Sequence, residues 1–235
     1  MKLLAIECSA KPDSAAVSED GKIVSHSFSD INLTHSQTLF PIIESALKSA
    51  KLGFSDIEAI GVATGPGSFT GLRIGIAGAK GLAEPKSLKC AGVSTLLAAA
   101  YMFIGRNAVI CPVLDARCGQ VYNALFDLDG GCVIRLCDDR AVMIEDLVTE
   151  LKKITGKKVI LCGDAADAVL RASGDNGNIT LAPKPLIMQN AIGVALCAEA
   201  LISKGDYVSA ADLTPAYLKL PQAERELNLK RGEKT

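Results

Sequence analysis

The chain has 235 residues, 49% of them hydrophobic, which suffices for one large domain or two small ones with a substantial core. Its 25 Lys and Arg residues nearly balance 26 Asp and Glu, so the net charge is -1. No global basic field therefore exists that could hold RNA or DNA by counterion release alone. No apolar run approaches the roughly 20 residues that a membrane helix needs. Because Glu7 interrupts the first apolar run, we interpret it as a strand rather than a signal peptide, and we expect a soluble, cytoplasmic protein without membrane contact.

The eight cysteines are scattered along the chain and form no C-x-x-C pair. They are Cys8, Cys90, Cys111, Cys118, Cys132, Cys137, Cys162 and Cys197. Most lie in apolar runs, so we interpret them as small hydrophobic residues buried in the core of a protein from a reducing compartment. Zinc ligation and disulfide bonding remain the alternatives.

The first half of the chain predicts buried strands interleaved with helices. Residues 3–9 form the first predicted strand, and a hairpin follows around Asp20 and Gly21. A helix is predicted at 34–50, and another buried strand at 57–64 leads into the turn Gly-Pro-Gly at 65–67. The apolar face of that helix comprises Leu39, Ile42, Ile43, Ala46 and Leu47.

The next predicted helix, at 68–83, is unusual because it contains Gly71, Gly75, Gly78 and Gly81. Each interior glycine costs about 1 kcal/mol relative to alanine. Three of them lie on one stripe of the helix, which is nearly bare of side chains and lets a neighbouring backbone approach closely. If that neighbour is the underlying sheet, the opposite face is free for a partner. That face comprises Thr70, Arg73, Ile74 and Ala77.

The second half of the chain repeats the pattern of the first. An apolar strand ends at Asp115, and the hairpin signal at Asp129 and Gly130 follows at almost the interval that separates Glu7 from Asp20. We interpret this as a duplicated β-β-β unit with helices after each copy. The pattern predicts an α/β protein with the duplicated ribonuclease-H-like fold of actin, Hsp70 and the sugar kinases. The predicted lobes, each with a mixed sheet, are residues 1–104 and 105–221, followed by a polar tail at 222–235.

Four segments together resemble the TsaB (YeaZ) family, which has this duplicated fold. They read LLAIECSAKPDSAAV, GPGSFTGLRIGIAGAKGLA, PVLDARCGQVY and DLTPAYLKLPQAE, and they follow the family's order over nearly the whole chain. The resemblance implies a non-catalytic subunit that is needed to make N6-threonylcarbamoyladenosine in tRNA, at the adenosine beside the anticodon.

The resemblance also implies the partners. In that family the paralogue TsaD (Gcp, YgjD) transfers the threonylcarbamoyl group, the ATPase TsaE joins the complex, and tRNA is met only through the complex. Docking uses the first two helices, and a homodimer forms through the same surface. The partner residues implied here are Thr34, His35, Leu39, Ile42, Ile43, Thr70, Arg73, Ile74, Ala77 and Gly78.

The paralogue holds its metal with two histidines in an H-x-x-x-H pattern, which places both side chains on one helix face. Here Leu39 stands four residues after His35, so a metal site built on a histidine pair in this helix is excluded. We expect His35 to be a capping or interface residue and expect no bound metal.

Nucleotide binding by the isolated chain is expected to be weak. Kinases of this fold place glycine in the turn after the acidic residue that ends the first strand. Here that residue is Glu7, where the family usually has aspartate, and the turn after it contains no glycine. Pro12 also removes one backbone donor from the turn. Glu7, Ser9 and Asp115 are therefore interpreted as remnants of a nucleotide site, with weak or partner-dependent binding of ATP or ADP. Two alternatives remain open: a self-sufficient phosphotransferase that uses a magnesium nucleotide, and a metallopeptidase-like protein.

Overall fold

The computed structural model describes residues 1–31 and 33–219, so the polar tail predicted at 222–235 lies outside the described residues. Within that range, five strands build the first sheet: β1 (Lys2–Glu7), β2 (Asp13–Glu19), β3 (Lys22–Ser29), β4 (Ala59–Gly65) and β5 (Lys89–Ser94). The strand order is β3-β2-β1-β4-β5, with β1 antiparallel to β2 and parallel to β4. The predicted hairpin joins β2 to β3, and Asp20 and Gly21 both have the positive φ of a type I′ turn.

Seven further strands among the described residues build the second sheet: β6 (Ala108–Asp115), β7 (Gln120–Asn123), β8 (Phe126–Asp129), β9 (Cys132–Arg135), β10 (Arg140–Met143), β11 (Val159–Cys162) and β12 (Ile179–Leu181). Its order is β10-β7-β6-β11-β12, with β8 paired to β6 and β9 to β8. Strand β6 is antiparallel to β7 and parallel to β11, as β1 is to β2 and β4. The predicted duplication is thereby confirmed. One strand of the second copy is broken, because β7 and β8 pair with different halves of β6.

Six α-helices lie in the described part of the chain: α1 (His35–Ser49), α2 (Phe69–Ala83), α3 (Thr95–Tyr101), α4 (Ile144–Leu151), α5 (Ala166–Ser173) and α6 (Ala191–Ser203). Side chains of β1 point alternately to the two faces of the sheet, and each face has its own core. Leu4 and Ile6 pack with α1 and α2, whereas Leu3 and Ala5 pack with α6. Helices α4 and α5 cover the second sheet. Among the described residues, no helix combines the length and the apolar character that crossing a bilayer requires.

Helix α6 follows the second sheet in the chain but packs against the first. Its Val194 and Ala198 lie within the core cluster that contains Leu3 and Ala5. The assignment of all residues from 105 to 221 to the second lobe is therefore corrected for this helix. The physical reason is composition: Glu199 is the only charged residue of α6, so the helix needs cover on nearly every side. The boundary at residue 104 stays a prediction.

The bare stripe of α2 faces inward, onto the end of β1 and onto α1. A Cβ at Gly71 would lie 2.0 Å from the carbonyl oxygen of Cys8, and one at Gly75 would lie 3.3 Å from Cys8 Cβ. At Gly78 it would meet Leu39 Cδ2 at 3.0 Å. Close packing within the domain thus explains three of the four glycines. Close packing does not explain Gly81, because no atom lies within 4 Å of the position that a Cβ would take there.

All eight cysteines are free thiols. Cys8, Cys90, Cys111, Cys162 and Cys197 are buried, which confirms the interpretation as core residues for these five. Cys118 and Cys132 are exposed and Cys137 is half-buried, so the interpretation is wrong for Cys118 and Cys132. Among the described residues, no three His, Cys, Asp or Glu side chains cluster closely enough to hold a metal ion.

Alanine substitution at two glycines of α2 tests this packing. We expect Gly71→Ala to lower the free energy of unfolding by about 2 kcal/mol, because the new Cβ forces α2 away from the backbone of Cys8. The matched control is Gly81→Ala, which adds a methyl group into open space and should stabilise the protein by roughly 0.5–1 kcal/mol. Chemical denaturation followed by circular dichroism measures both changes. Equal stability of the two variants would contradict the proposed close contact.

Candidate functional site

A cleft of about 610 Å³ lies between the two lobes. Ser9 and Lys11 of the β1–β2 turn line it from the first lobe, and Asp115 and Arg117 of the β6–β7 turn line it from the second. The cleft therefore brings Ser9 and Asp115 together, although they belong to different copies of the duplicated unit. Its volume is in the range of small-molecule sites.

Glu7, the third residue of the expected nucleotide remnant, is 1% exposed and does not line the cleft. Its Oε1 accepts a hydrogen bond from the backbone N–H of Ser9 at 2.5 Å. Its Oε2 has no hydrogen-bond partner among the described residues. Burial raises the pKa of this carboxyl to about 7, and the hydrogen bonding by Ser9 offsets only part of that effect.

The corresponding residues of the second copy repeat this geometry. The backbone N–H of Arg117 donates to Asp115 Oδ1 at 2.8 Å, as Ser9 does to Glu7. Arg117 Nη1 also lies 3.1 Å from Asp115 Oδ2, and both side chains are exposed. In each copy, the side-chain carboxyl group at the end of the first strand therefore accepts a hydrogen bond from a backbone N–H of the turn that follows.

Two polar residues of the cleft escaped the sequence reasoning. Asp164 Oδ1 accepts a hydrogen bond from the N–H of Asp115 at 2.8 Å, and burial raises the pKa of Asp164. Asp164 follows β11. Because the carboxyl ends of neighbouring parallel strands meet at one edge of a sheet, its position after a strand was the sequence signal that could have identified it. Gln189 is buried, and neither amide atom has a partner among the described residues. Its sequence context carries no motif.

The Gly-Pro-Gly turn and the start of α2 form another wall of the cleft. Ser68 is the predicted N-cap, and its side chain accepts a hydrogen bond from Gly71 N at 3.3 Å. The backbone N–H of Ser68 donates to the carbonyl oxygen of Ser9 at 2.6 Å. A Cβ at Gly67 would lie 2.4 Å from that same oxygen, so only glycine fits there. The turn is thus held directly against the first hairpin turn.

Four of the residues expected to bind a partner are buried in this chain: Leu39, Ile42, Ile43 and Gly78. That expectation is corrected, because the apolar face of α1 packs on the first sheet and Gly78 packs on Leu39. Ile74 is half-buried and also packs against this core. The remaining members reach solvent on the outer side, with Thr34, Thr70, Arg73 and Ala77 exposed.

An exposed aromatic residue that the sequence reasoning missed lies among them. Phe40 of α1 is 50% exposed, and its Cζ would lie 3.9 Å from a Cβ at Gly78 of α2. It therefore covers the seam between the two helices from outside. The sequence signal for its exposure was that Phe40 lies on the helical wheel away from the face formed by Leu39 and Ile43. We call Thr34, Phe40, Thr70, Arg73, Ile74 and Ala77 the outer face.

His35 lies at the edge of the cleft. Its Nε2 is 2.9 Å from the carbonyl oxygen of Ala10, so the ring is tied to the first hairpin turn. Leu39, one helical turn later, is buried in the core. The contact that the structure shows for the His35 ring is thus with the first hairpin turn.

Arg73 and Tyr217 bring the C-terminal segment onto α2. The Arg73 guanidinium lies 3.8 Å from the centroid of the Phe69 ring, and Phe69 stacks on Tyr217 with 4.9 Å between ring centroids. Arg73 Nε also donates a hydrogen bond to Tyr217 Oη at 2.8 Å. Part of the outer face is therefore in contact with the chain's own C-terminal segment.

Residues 29–200 match the family model described as "TsaD: tRNA N6-adenosine threonylcarbamoyltransferase". A protein of Bacillus subtilis, described as "tRNA threonylcarbamoyladenosine biosynthesis protein TsaB", is 30% identical over 234 residues, which cover 95% of this chain and 96% of that protein. The chain belongs to the TsaB family. The Escherichia coli protein of the same description is 29% identical over 230 residues, with 97% and 98% covered.

A solved structure supports the fold. It is described as an uncharacterized protein with similarity to peptidase YEAZ from Pseudomonas aeruginosa, and it superimposes with a TM-score of 0.78 at 23% identity. The match covers 93% of this chain and 99% of that one. Two mixed sheets in the duplicated ribonuclease-H-like arrangement are thus the architecture of this TsaB-family chain.

The buried carboxyl of Glu7 predicts a pH-dependent difference in stability. Because its pKa rises from an ordinary 4.5 to about 7 on folding, the folded chain favours the protonated carboxyl, and stability is lost as pH rises between those values. Glu7→Gln removes this loss. The advantage of the variant over wild type should therefore grow by roughly 3 kcal/mol between pH 4.5 and pH 8. Denaturation across this pH range measures it, and parallel stability profiles would contradict the raised pKa.

Proposed function

We propose that this chain is a non-catalytic subunit required for N6-threonylcarbamoyladenosine formation in tRNA, at the adenosine beside the anticodon. It acts by binding the catalytic subunit TsaD together with the ATPase TsaE, and it meets tRNA only through that complex. The observation that carries the proposal is the similarity, over nearly the whole chain, to two proteins whose names place them in threonylcarbamoyladenosine biosynthesis. Because the proposed target is tRNA, we also propose a cytoplasmic location.

The outer face is the proposed docking surface for TsaD, and a homodimer forms through it when TsaD is absent. Its support is structural: α1 and α2 bury their inner faces in the first core and leave Phe40 and Ala77 exposed. An exposed aromatic ring beside small side chains suits close helix packing, because a partner helix can approach the small residues and cover the ring. The exposed Arg73 adds a charge at one end of this surface.

Hydrogen bonding in the two hairpin turns supports a non-catalytic role. A phosphate bound between the lobes would need backbone N–H donors from both turns. Here the N–H of Ser9 is taken by Glu7 and that of Arg117 by Asp115. Glu7 is also buried behind Ser9, away from the cleft surface. We propose that ATP or ADP binds the cleft weakly, or only when TsaD is bound, with Ser9 and Asp115 as the contacts that remain.

Isothermal titration of the isolated chain with magnesium ATP tests this point. We expect a dissociation constant of roughly millimolar order, because one backbone donor in each turn is already used within the chain. The same titration with the TsaD complex shows whether the partner changes the affinity. Tight, magnesium-dependent binding to the chain alone would instead favour the phosphotransferase alternative, for which the unpartnered Gln189 amide in the cleft is the specific support.

A single charge on the outer face tests the docking proposal. Ala77→Glu should weaken binding to TsaD by at least about tenfold, because it places an unpaired carboxylate in a packed helix interface. Ala77 is exposed, so folding should be unaffected. Ile74 is a poorer choice because it packs against the core. The matched control is Ala172→Glu, an exposed alanine of α5 on the other lobe.

The readout is tRNA modification in a mixture of TsaD, TsaE, threonylcarbamoyl-adenylate and tRNA, together with gel filtration of the complex. Omission of the chain should abolish modification, Ala77→Glu should reduce it, and Ala172→Glu should match wild type. Modification by the chain without TsaD would overturn the non-catalytic role. An undiminished complex with Ala77→Glu would overturn the docking surface alone.

A further inference from the structure

The last described residues cross the mouth of the cleft from the first lobe to the second. Residues 214–219, which we call the strap, follow a segment anchored by the buried Leu213. Ala216, Tyr217, Leu218 and Lys219 all line the cleft. The strap is thus a wall of the cleft that belongs to neither hairpin turn.

One end of the strap is held by the first sheet. The N–H of Ala216 donates to the carbonyl oxygen of Thr64 at 2.8 Å, at the end of β4. The carbonyl oxygen of Ala216 lies 2.5 Å from the position of a Cβ on Gly65, so the strap presses directly on the β4 backbone. The absence of a side chain at Gly65 makes this approach possible.

The other end is held by the second lobe. Lys219 Nζ donates to the carbonyl oxygen of Ala116 at 3.0 Å and also to Gln120 Oε1. Ala116 lies in the turn that contains Arg117, and Gln120 is the first residue of β7, directly after that turn. Contacts at Thr64 and at Ala116 thus tie the two lobes together across the cleft.

The middle of the strap is attached to the outer face. Tyr217 stacks on Phe69 and accepts the hydrogen bond from Arg73 Nε, and it remains 40% exposed. A partner that covers α2 at Arg73 meets the ring of Tyr217. Since Arg73 Nε has a single N–H, a partner carboxylate that binds this edge of the guanidinium has to replace Tyr217.

We propose that the strap couples the outer face to the cleft: a partner that engages Arg73 releases Tyr217, loosens the strap and lets the two lobes move relative to each other at the cleft. This inference rests on the proposed function for the identity of the partner. Release of Tyr217 costs little, because its hydrogen bond to Arg73 lies at the exposed surface, where a hydrogen bond adds little net stability. A separate contact between the lobes, from Ser94 Oγ to Asp139 Oδ2 at 2.5 Å, does not involve the strap. The lobes therefore loosen without coming apart.

Three variants test the coupling. Tyr217→Ala removes the contact with α2, and Lys219→Ala removes the contact with the second lobe. The matched control is Tyr207→Ala, because Tyr207 lies in the same C-terminal segment with a similar exposure of 42% but packs near Lys89, away from the cleft. Hydrogen exchange of the isolated chain should become faster at Ala216 and at residues 114–117 in the first two variants and stay unchanged in the control.

The affinity for TsaD supplies the decisive readout. Tyr217→Ala should bind TsaD more tightly by on the order of fivefold, because the partner no longer has to displace the ring. Lys219→Ala should also bind more tightly, although Lys219 does not touch α2. Only a strap that acts as one element explains a gain from that position. Tyr207→Ala should bind as wild type does.

The outcomes separate the two proposals. Weaker binding of Tyr217→Ala would show that the ring is part of the docking surface and would overturn the coupling. Unchanged affinity of Lys219→Ala, or unchanged exchange at residues 114–117 in both variants, would overturn it as well. A wild-type chain that fails to bind TsaD would contradict the proposed function, and the exchange measurements would then still decide whether the strap restrains the lobes.

Discussion

The rest of the structure depends on the close approach of α2 to the end of β1. Because Gly71 has no side chain, the helix lies directly against the carbonyl oxygen of Cys8. That position brings the N–H of Ser68 onto the oxygen of Ser9 and so docks the Gly-Pro-Gly turn on the first hairpin. Dispersion contacts along the bare stripe offset the helix propensity that the glycines lose. One steric constraint therefore sets a wall of the cleft and also decides which side of α2 reaches solvent.

Hydrogen bonds within the two hairpin turns occupy some of the backbone groups at the cleft. In the first hairpin turn, both backbone polar groups of Ser9 are used within the chain, since Ser9 donates to Glu7 and accepts from Ser68. The second turn does likewise through Arg117 and Asp115. Under the proposed function, the part of the chain that a partner meets is the surface at Phe40 and Ala77, outside a tightly packed pair of helices.

The duplicated architecture could be predicted because apolar runs, hairpin signals and acidic strand ends are local features that recur at nearly equal intervals. The orientation of α1 was harder, since an apolar stripe such as Leu39 and Ile43 suits a core as well as an interface. Residues such as Gln189 and Tyr217 were out of reach, because their roles depend on long-range contacts: Arg73 and Tyr217 are 144 positions apart. Asp164 was within reach, because it follows a strand whose end lies beside Asp115.

Helix α6 makes the two halves mutually dependent in folding. It is formed by residues far along the chain, yet it covers the face of the first sheet that holds Leu3 and Ala5. In a fragment that stops before β6, this apolar face would be exposed to water, because no earlier segment can replace α6 as its cover. During synthesis, the second face of the first sheet is therefore covered only after nearly the whole polypeptide has been made. The two copies of the unit are thus interlocked rather than two separable modules.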